Sequence, residues 1–409
     1  MKVDLPRYSE RLGAVTIKSI QKVYELDSGK RHKPQKETPK TIKEITDDEL
    51  TDIFAKMAII IPIKSEKLKL LEGVLSGIPH DCLIIVVSNS SRYPLDAYKL
   101  ECDTLKQYVD FVDRDAMMIH QKDPGLGEAF KKVDYKSILD GNLVRDGKGE
   151  GMIIGMLLAK VVGKEYVGFI DADNYFPGAV NEYVKIFASG IAMSQTPYSM
   201  IRISWLYKPK VHEAGLYFAK WGRISEYTNR YLNMLISTYT GFETEIIKTG
   251  NSGEHAMSLK LAELLTYSSG FSVEPYEIIN ILEEFGGILE PHYPEVMQEG
   301  VEITQVETRN PHFHEDKGEE HLNEMLKGSL SSIYFSKLCT PELKKQIFDE
   351  LKSKGIIKDK RQLQQPILIP PFHTIDIHQF ADVLQNKCTS LYNSGVKFQG
   401  TDIKEVKSK

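Results

Sequence analysis

The sequence predicts an α/β protein built on a mixed, mainly parallel central sheet flanked by helices. Three observations carry this. Apolar runs of strand length recur at 57–63, 82–87, 116–120 and 166–170. Stretches with helical spacing lie between them, such as Leu68, Leu71, Val74 and Leu75, and this alternation implies right-handed crossovers and strands that point one way. The run at 166–170 then stops at Asp171-Ala172-Asp173-Asn174, two carboxylates one residue apart. Side chains at i and i+2 of a strand share a face, and the carboxyl edge of such a sheet is where ligands bind. Two like charges there call for something positive between them, and a divalent cation carrying a diphosphate is the most economical candidate. A plain strand-end turn is the alternative, since Asp and Asn are common turn residues.

Taken in order, 11–27 reads as a short edge strand or hairpin arm. Residues 28–50, rich in Lys, Pro, Thr and Glu, read as a surface loop or linker. The strand at 57–63 is followed by a helix ending near Gly77. The second run leads to a helix over 96–112. The third strand, 116–120, enters Gln121-Lys122-Asp123-Pro124-Gly125. An apolar helix over 152–162 precedes the strand of the two aspartates, and Pro177 suits the first turn of the next helix. Further elements are a strand at 199–205, a ribbon and turn at 215–223, and helices at 225–239, 254–265 and 275–285. A strand at 301–308 and helical pattern from 319 to about 354, broken at Pro341, follow. A helix at 377–389 completes the reading. No internal repeat is present.

Charge is nearly balanced, with Lys+Arg 52 against Asp+Glu 57, so no basic excess points to nucleic acid. The four cysteines, Cys82, Cys102, Cys339 and Cys388, make no CxxC and suit a reducing compartment. Neither a signal-peptide core nor a bilayer-length apolar run is present. The expectation is a soluble cytoplasmic protein with no membrane partner.

Four segments carry candidate chemistry. Gly147-Lys148-Gly149-Glu150-Gly151 precedes a helix, so its amides and lysine suit phosphate; it has neither GxxxxGK[ST] nor GxGxxG spacing, and a flexible loop with one lysine is the alternative. His312 and His314 alternate in a loop beside Glu315 and Asp316. They suit a metal if the strand before them shares the sheet of the aspartates, and solvated surface histidines otherwise. Asn251-Ser252-Gly253-Glu254-His255 reads as a loop capping a helix, with Glu254 favoured by the helix dipole; alternatively Glu254 or His255 faces a sugar or acceptor. Trp221-Gly222-Arg223-Ile224-Ser225 offers an arginine for bidentate anion capture, or an ordinary helix start with Ser225 as N-cap.

The ordered motifs at 62–67 (PIKSEK), 86–91 (VVSNSS), 119–126 (IHQKDPGL), 147–152 (GKGEGM), 167–175 (VGFIDADNY), 220–225 (KWGRIS), 249–257 (TGNSGEHAM), 273–278 (VEPYEI) and 310–318 (NPHFHEDKG) resemble the mannosyl-3-phosphoglycerate synthases. The resemblance runs from about residue 11 to 340. It implies a GT-A-type nucleotide-diphospho-sugar fold and transfer of mannose from GDP-mannose to 3-phosphoglycerate with retention. The product is the precursor of the compatible solute mannosylglycerate. It implies a division into an N-terminal arm and surface loop (1–56), a nucleotide-sugar-binding core (57–210), an acceptor-binding and metal-completing region (211–340) and a C-terminal helical extension (341–409). Pro62, Lys64, Glu66, Ser88, Asn89, Gln121, Lys122, Asp123, Lys148, Asp171 and Ala172 fall at donor-binding positions. Gly222, Arg223, Ser225 and Asn251 fall on the acceptor side. Asp171 and Asp173 are the family's DXD. The resemblance implies that they hold a divalent metal, Mg2+ or Mn2+, with Asp173 as the preferred direct ligand, His312 as first choice for the further protein ligand and His314 as second. Ser65 stands where relatives often carry Asn.

Asp173, Lys148 and Glu254 are the candidates for the catalytic set. Retention requires either a double displacement through an enzyme carboxylate or front-face substitution in which the departing phosphate takes the acceptor proton. No motif clearly supplies a nucleophile, which favours the second. Rival readings are a glucosyl-3-phosphoglycerate synthase or donor-promiscuous relative, a sugar-1-phosphate nucleotidyltransferase, and a non-catalytic nucleotide-binding protein. The oligomeric state stays open, a homodimer included.

Overall fold

The computed structural model describes the chain apart from residues 28–38, 175, 206–207, 213–214, 220–222, 313–317 and 400–409, and apart from the side chains of 208–212, 215–219 and 223. Thirteen strands form the main sheet. They are β1 (Lys2–Asp4), β2 (Ser9–Leu12), β3 (Val15–Lys18), β4 (Gln21–Glu25), β5 (Ile42–Glu44), β6 (Met57–Ile63), β7 (Leu83–Ser88), β8 (Ala116–His120), β9 (Tyr166–Phe169), β10 (Ser199–Trp205), β11 (His255–Ser258), β12 (Val301–Thr308) and β13 (Tyr392–Asn393). The strand order is β13-β8-β7-β6-β9-β11-β10-β12-β4-β1-β5, with β3 against β12 and β2 against β3.

The long central strands share one direction. β6, β7, β8 and β9 pair in parallel, as do β10 and β12. β11 alone is reversed among them, antiparallel to both β9 and β10. Strands β6 and β7 are nearly continuous apolar runs because helices cover both faces. One face packs on the helix Lys148–Val161 and its neighbours, the other on Leu68–Gly77 and Pro177–Ala192. The main sheet takes strands from each of the four segments drawn from the sequence. All four cysteines are free, and among the described residues no helix is long and apolar enough to cross a membrane.

Several elements differ from the sequence reading, each for a local reason. Residues 11–25 form most of three strands rather than one arm. Within the stretch read as surface loop, Ile42–Glu44 pairs with β1, and a helix runs over Asp47–Ala55. Thr46 caps that helix through a reciprocal box with Glu49, and Leu50 and Phe54 anchor it in the core. The helix carrying Lys148 starts at Lys148 itself, four residues before the expected 152. The helix expected over 254–265 is mostly replaced: His255–Ser258 is a strand, and only Leu259–Ala262 is helical, capped by Ser258.

Candidate active site

Because the central strands share a direction, their carboxyl ends form one edge. The reversed β11 begins at that same edge, with His255 paired to Phe169. Glu254, the residue before β11, therefore stands beside the Asp171-Ala172-Asp173 segment that follows β9. The dipole role expected for Glu254 is overturned, since no helix starts there. It is fully buried.

The DXD segment is both turn and site. β9 ends at Phe169, so Asp171 and Asp173 do not share a strand face as their spacing suggested. Instead, Asn174 closes a turn by donating its backbone N–H and its Nδ2 to the Asp171 carbonyl, at 3.3 and 3.1 Å. The same Nδ2 donates to Glu254 Oε1 at 2.6 Å. Asn174 thus couples the turn to the start of β11.

Lys148 reaches this turn from the first turn of its helix. Its Nζ lies 2.6 Å from Asp171 Oδ1 and 2.8 Å from Glu274 Oε1. Burial works against its charge, but Asp171 and Glu274 outweigh that and hold the ammonium's pKa well above its ordinary value. Gly253 makes the approach possible: a Cβ there would stand 2.7 Å from Asp171 Oδ2 and 3.1 Å from Lys148 Nζ. His312 is buried, follows β12 by four residues, packs its ring tilted against Trp205 with centroids 4.4 Å apart, and places Nδ1 3.8 Å from Glu254 Oε1.

Glu254 is the electrostatic centre of this cluster. Its Oε2 is buried, with no hydrogen-bond partner among the described residues. Burial first, then the charges of Asp171 and Asp173, push its pKa up to about 8 against the pull of Asn174 and Lys148. This has a consequence for stability. Below the unfolded value of 4.5 the carboxyl is protonated in both states. Between 4.5 and about 8 the unfolded chain ionises and the folded chain resists, so stability falls as pH rises through that window. Glu254→Gln removes the loss. In metal-free buffer its Tm is expected to exceed that of the unsubstituted protein by a margin that widens from pH 5 to pH 8 in thermal melts. A margin constant with pH would show Glu254 ionised in the folded chain.

The donor-side residues divide into two kinds. Asn89, Lys122 and Asp123 line a cleft of about 490 Å³ with Asp146 at the ends of β7 and β8. Asn89 Nδ2 and Lys122 Nζ both meet Asp146 Oδ1, at 3.1 and 3.3 Å. Gln121 donates to the carbonyls of Arg145 and Gly147, at 2.6 and 3.2 Å, and so fixes the loop before Lys148. Some candidates, Asp123 of the cleft among them, are held in scaffold hydrogen bonds. Ser88 is fully buried and donates to Glu101 at 2.6 Å. Asp123 has both oxygens engaged, Oδ1 by Gly125 N–H and Oδ2 by Ser390 N–H, each at 2.7 Å. In the first strand-end loop, Glu66 accepts from Lys64 N–H at 2.6 Å, while Pro62 lies within β6 and Ala172 is buried in the turn. Ser65 has φ of 64°, a left-handed conformation in which Asn is favoured. The departure noted at this position is thus one of backbone preference.

On the acceptor side, the helix opens at Arg223, which places Ser225 inside its first turn and not at the N-cap. Gly222, the Arg223 side chain and His314 lie outside the described residues. Asn251 donates to Ser329 Oγ at 2.8 Å, and its buried Oδ1 has no partner among the described residues.

Three residues were missed by sequence reasoning: Glu274, Arg202 and Glu277. Arg202 is fully buried and donates to Glu277 Oε2 (3.2 Å) and to the carbonyls of Thr249 (3.0 Å), Gly250 (3.3 Å) and Glu274 (3.1 Å). Glu277 also meets His255 Nε2. A lone arginine within a wholly buried strand was the available signal, because a buried charge requires a partner.

The site thus sets two aspartates, a lysine and a buried glutamate at the carboxyl edge of a mainly parallel sheet, the place where such sheets bind their ligands. A family model described as mannosyl-3-phosphoglycerate synthase matches residues 5–384. The chain is 49% identical over 399 residues to the mannosyl-3-phosphoglycerate synthase of Pyrococcus furiosus, covering 97% of this chain and 100% of that one. It is 36% identical to that of Aeropyrum pernix, covering 96% and 99%. A solved glucosyl-3-phosphoglycerate synthase from Mycobacterium tuberculosis aligns with a TM-score of 0.49 at 17% identity, over 81% of this chain and 95% of that one. The chain belongs to the mannosyl-3-phosphoglycerate synthase family. It is an enzyme, a glycosyltransferase that makes mannosyl-3-phosphoglycerate.

Proposed function

We propose that the enzyme transfers mannose from GDP-mannose to 3-phosphoglycerate with retention of configuration, using a divalent cation held by Asp171, Asp173 and His312. The observation that carries this reading is the convergence of Asp171, Lys148 and Glu254 at one point of the sheet edge. The chemistry of the donor set fits such an ion. Carboxylate oxygens and an imidazole suit Mg2+ or Mn2+, the carboxylates of Asp171, Asp173, Glu254 and Glu274 outnumber the single ammonium of Lys148, and Glu254 Oε2 is an orphaned buried acceptor. Among the described residues no three such side chains already stand together as a metal group; His314, the remaining candidate, lies outside them. When bound, the ion supplies Lewis-acid neutralisation of the leaving diphosphate.

The chain's own residues do the rest. Lys148 adds positive charge beside the diphosphate. Arg223, Ser225 and Asn251 hold the acceptor, whose hydroxyl gives its proton to the departing phosphate. Glu254 is a poor nucleophile for a double displacement, since it is fully buried and Asn174 occupies its Oε1. Transfer therefore proceeds by front-face substitution.

The test is a metal-supplemented assay with a panel of nucleotide-sugars and 3-phosphoglycerate, with product mass and anomeric configuration determined. Transfer from GDP-mannose with retention is expected. Preference for a glucose donor, inversion, or a mannosyl-enzyme trapped on Glu254 would overturn the corresponding part of the reading.

A further inference from the structure

Lys148 stands between two carboxylates that are held very differently. Glu274 lies in the first turn of the helix Val273–Phe285. Its backbone carbonyl accepts from Arg202 Nη2 at 3.1 Å, and its side chain is 9% exposed. The segment just before it is clamped to the turn that carries Lys148. Ser269 Oγ and Gly270 N–H donate to the two oxygens of buried Glu150. A Cβ on Gly149 would stand 2.5 Å from the Ser268 carbonyl oxygen, and one on Gly147 would stand 2.8 Å from Gly270 N. The backbone of Lys148 and the carboxylate of Glu274 thus belong to one locked unit. Asp171, in the turn after β9, has a side chain 31% exposed.

We propose that Glu274 is a positioning residue that acts on Asp171 through Lys148. By sharing the ammonium at 2.8 Å against 2.6 Å for Asp171, it keeps the ammonium from closing over Asp171 and leaves Asp171 able to take up a divalent ion. This deepens the reading above and rests on Asp171 being a cation ligand. Glu274 itself is engaged by the ammonium and is no ligand in this reading. Without its charge, Lys148 has Asp171 alone as carboxylate partner, in a setting dry enough for the pair to be strong. An incoming cation must then displace the ammonium.

The experiment is a Mn2+ titration read by electron paramagnetic resonance, without substrates, on the unsubstituted protein, Glu274→Gln, Glu274→Asp, Lys148→Met and the Glu274→Gln/Lys148→Met double variant. Glu274→Gln is expected to weaken Mn2+ binding about tenfold, the effect of one charge-assisted hydrogen bond. Glu274→Asp should recover most of that loss. In the Lys148→Met background, Glu274→Gln should change affinity by less than about twofold, because the residue through which it acts is gone. Equal affinity for Glu274→Gln and the unsubstituted protein would overturn the proposal. So would an undiminished loss in the Lys148→Met background, which would mean that Glu274 acts on the ion by its own charge. Absence of Mn2+ binding by the unsubstituted protein would overturn the cation reading of Asp171 and this inference with it.

Discussion

Asp173→Ala is expected to lower kcat for mannosyl transfer by about 100- to 1,000-fold, the scale seen when one preorganised charge-stabilising group is removed from an active site. The fold should hardly register the change. Asp173 is only half-buried in the turn, and the hydrogen bonds that close that turn come from Asn174 to the Asp171 carbonyl and to Glu254. A substitution outside the core, as here, is expected to cost about 1 kcal/mol or less. The variant also keeps the Lys148–Asp171 and Lys148–Glu274 contacts, so a loss of rate would be specific to the second carboxylate of the motif. Steady-state kinetics over a range of Mg2+ and Mn2+ concentrations, with a thermal melt beside them, reads both effects. A variant within threefold of normal kcat at saturating metal would remove Asp173 from the catalytic set. The same substitution at Asp171 is a less clean experiment, because it strips Lys148 of its 2.6 Å partner and moves two groups at once.

The parts of this site that could be read in the sequence are those whose chemistry is local. Strands β6, β7 and β8 announce themselves as buried apolar runs closed by polar loops, and their common edge follows from the alternation with helices. The Asp171-Ala172-Asp173 step and the Gly-Lys-Gly step before a helix are visible as single motifs. Glu254 was found as a candidate but placed wrongly. His255–Ser258 is four residues with no alternating pattern, and the reversal of β11 within a parallel sheet leaves no trace in the chain order. Ser88 and Asp123 fell at donor positions by motif, yet their oxygens are spent on Glu101 and on the N–H groups of Gly125 and Ser390. What the sequence could not pair at all is Arg202 with Glu277, because the contact spans 75 residues and each partner lies in an otherwise ordinary buried element.

That pair carries the second large effect. Arg202→Met is expected to destabilise the fold by about 3–5 kcal/mol, the cost of leaving one member of a buried ion pair without its partner. Arg202 and Glu277 are both 0% exposed, as is His255. Burial pulls the pKa of Arg202 down while Glu277 and Glu274 support its charge, so the guanidinium is held by what surrounds it and in turn holds three carbonyls. Its removal leaves Glu277 with only His255, and it releases the carbonyls of Thr249, Gly250 and Glu274. The first two belong to the loop that leads to Glu254, and the third to the turn that presents Glu274 to Lys148. Loss of stability should therefore be accompanied by loss of transfer even at temperatures where the variant remains folded. Chemical denaturation measures the first and kcat on the folded variant the second. Pairing Arg202→Met with Glu277→Leu separates the causes: relieving the stranded carboxylate should restore much of the stability, but not the anchoring of the loop and turn, so activity should stay low. Recovery of both together would mean that Arg202 serves only to neutralise Glu277, and a single-variant cost below about 1 kcal/mol would mean that the network is not closed in the way its distances indicate.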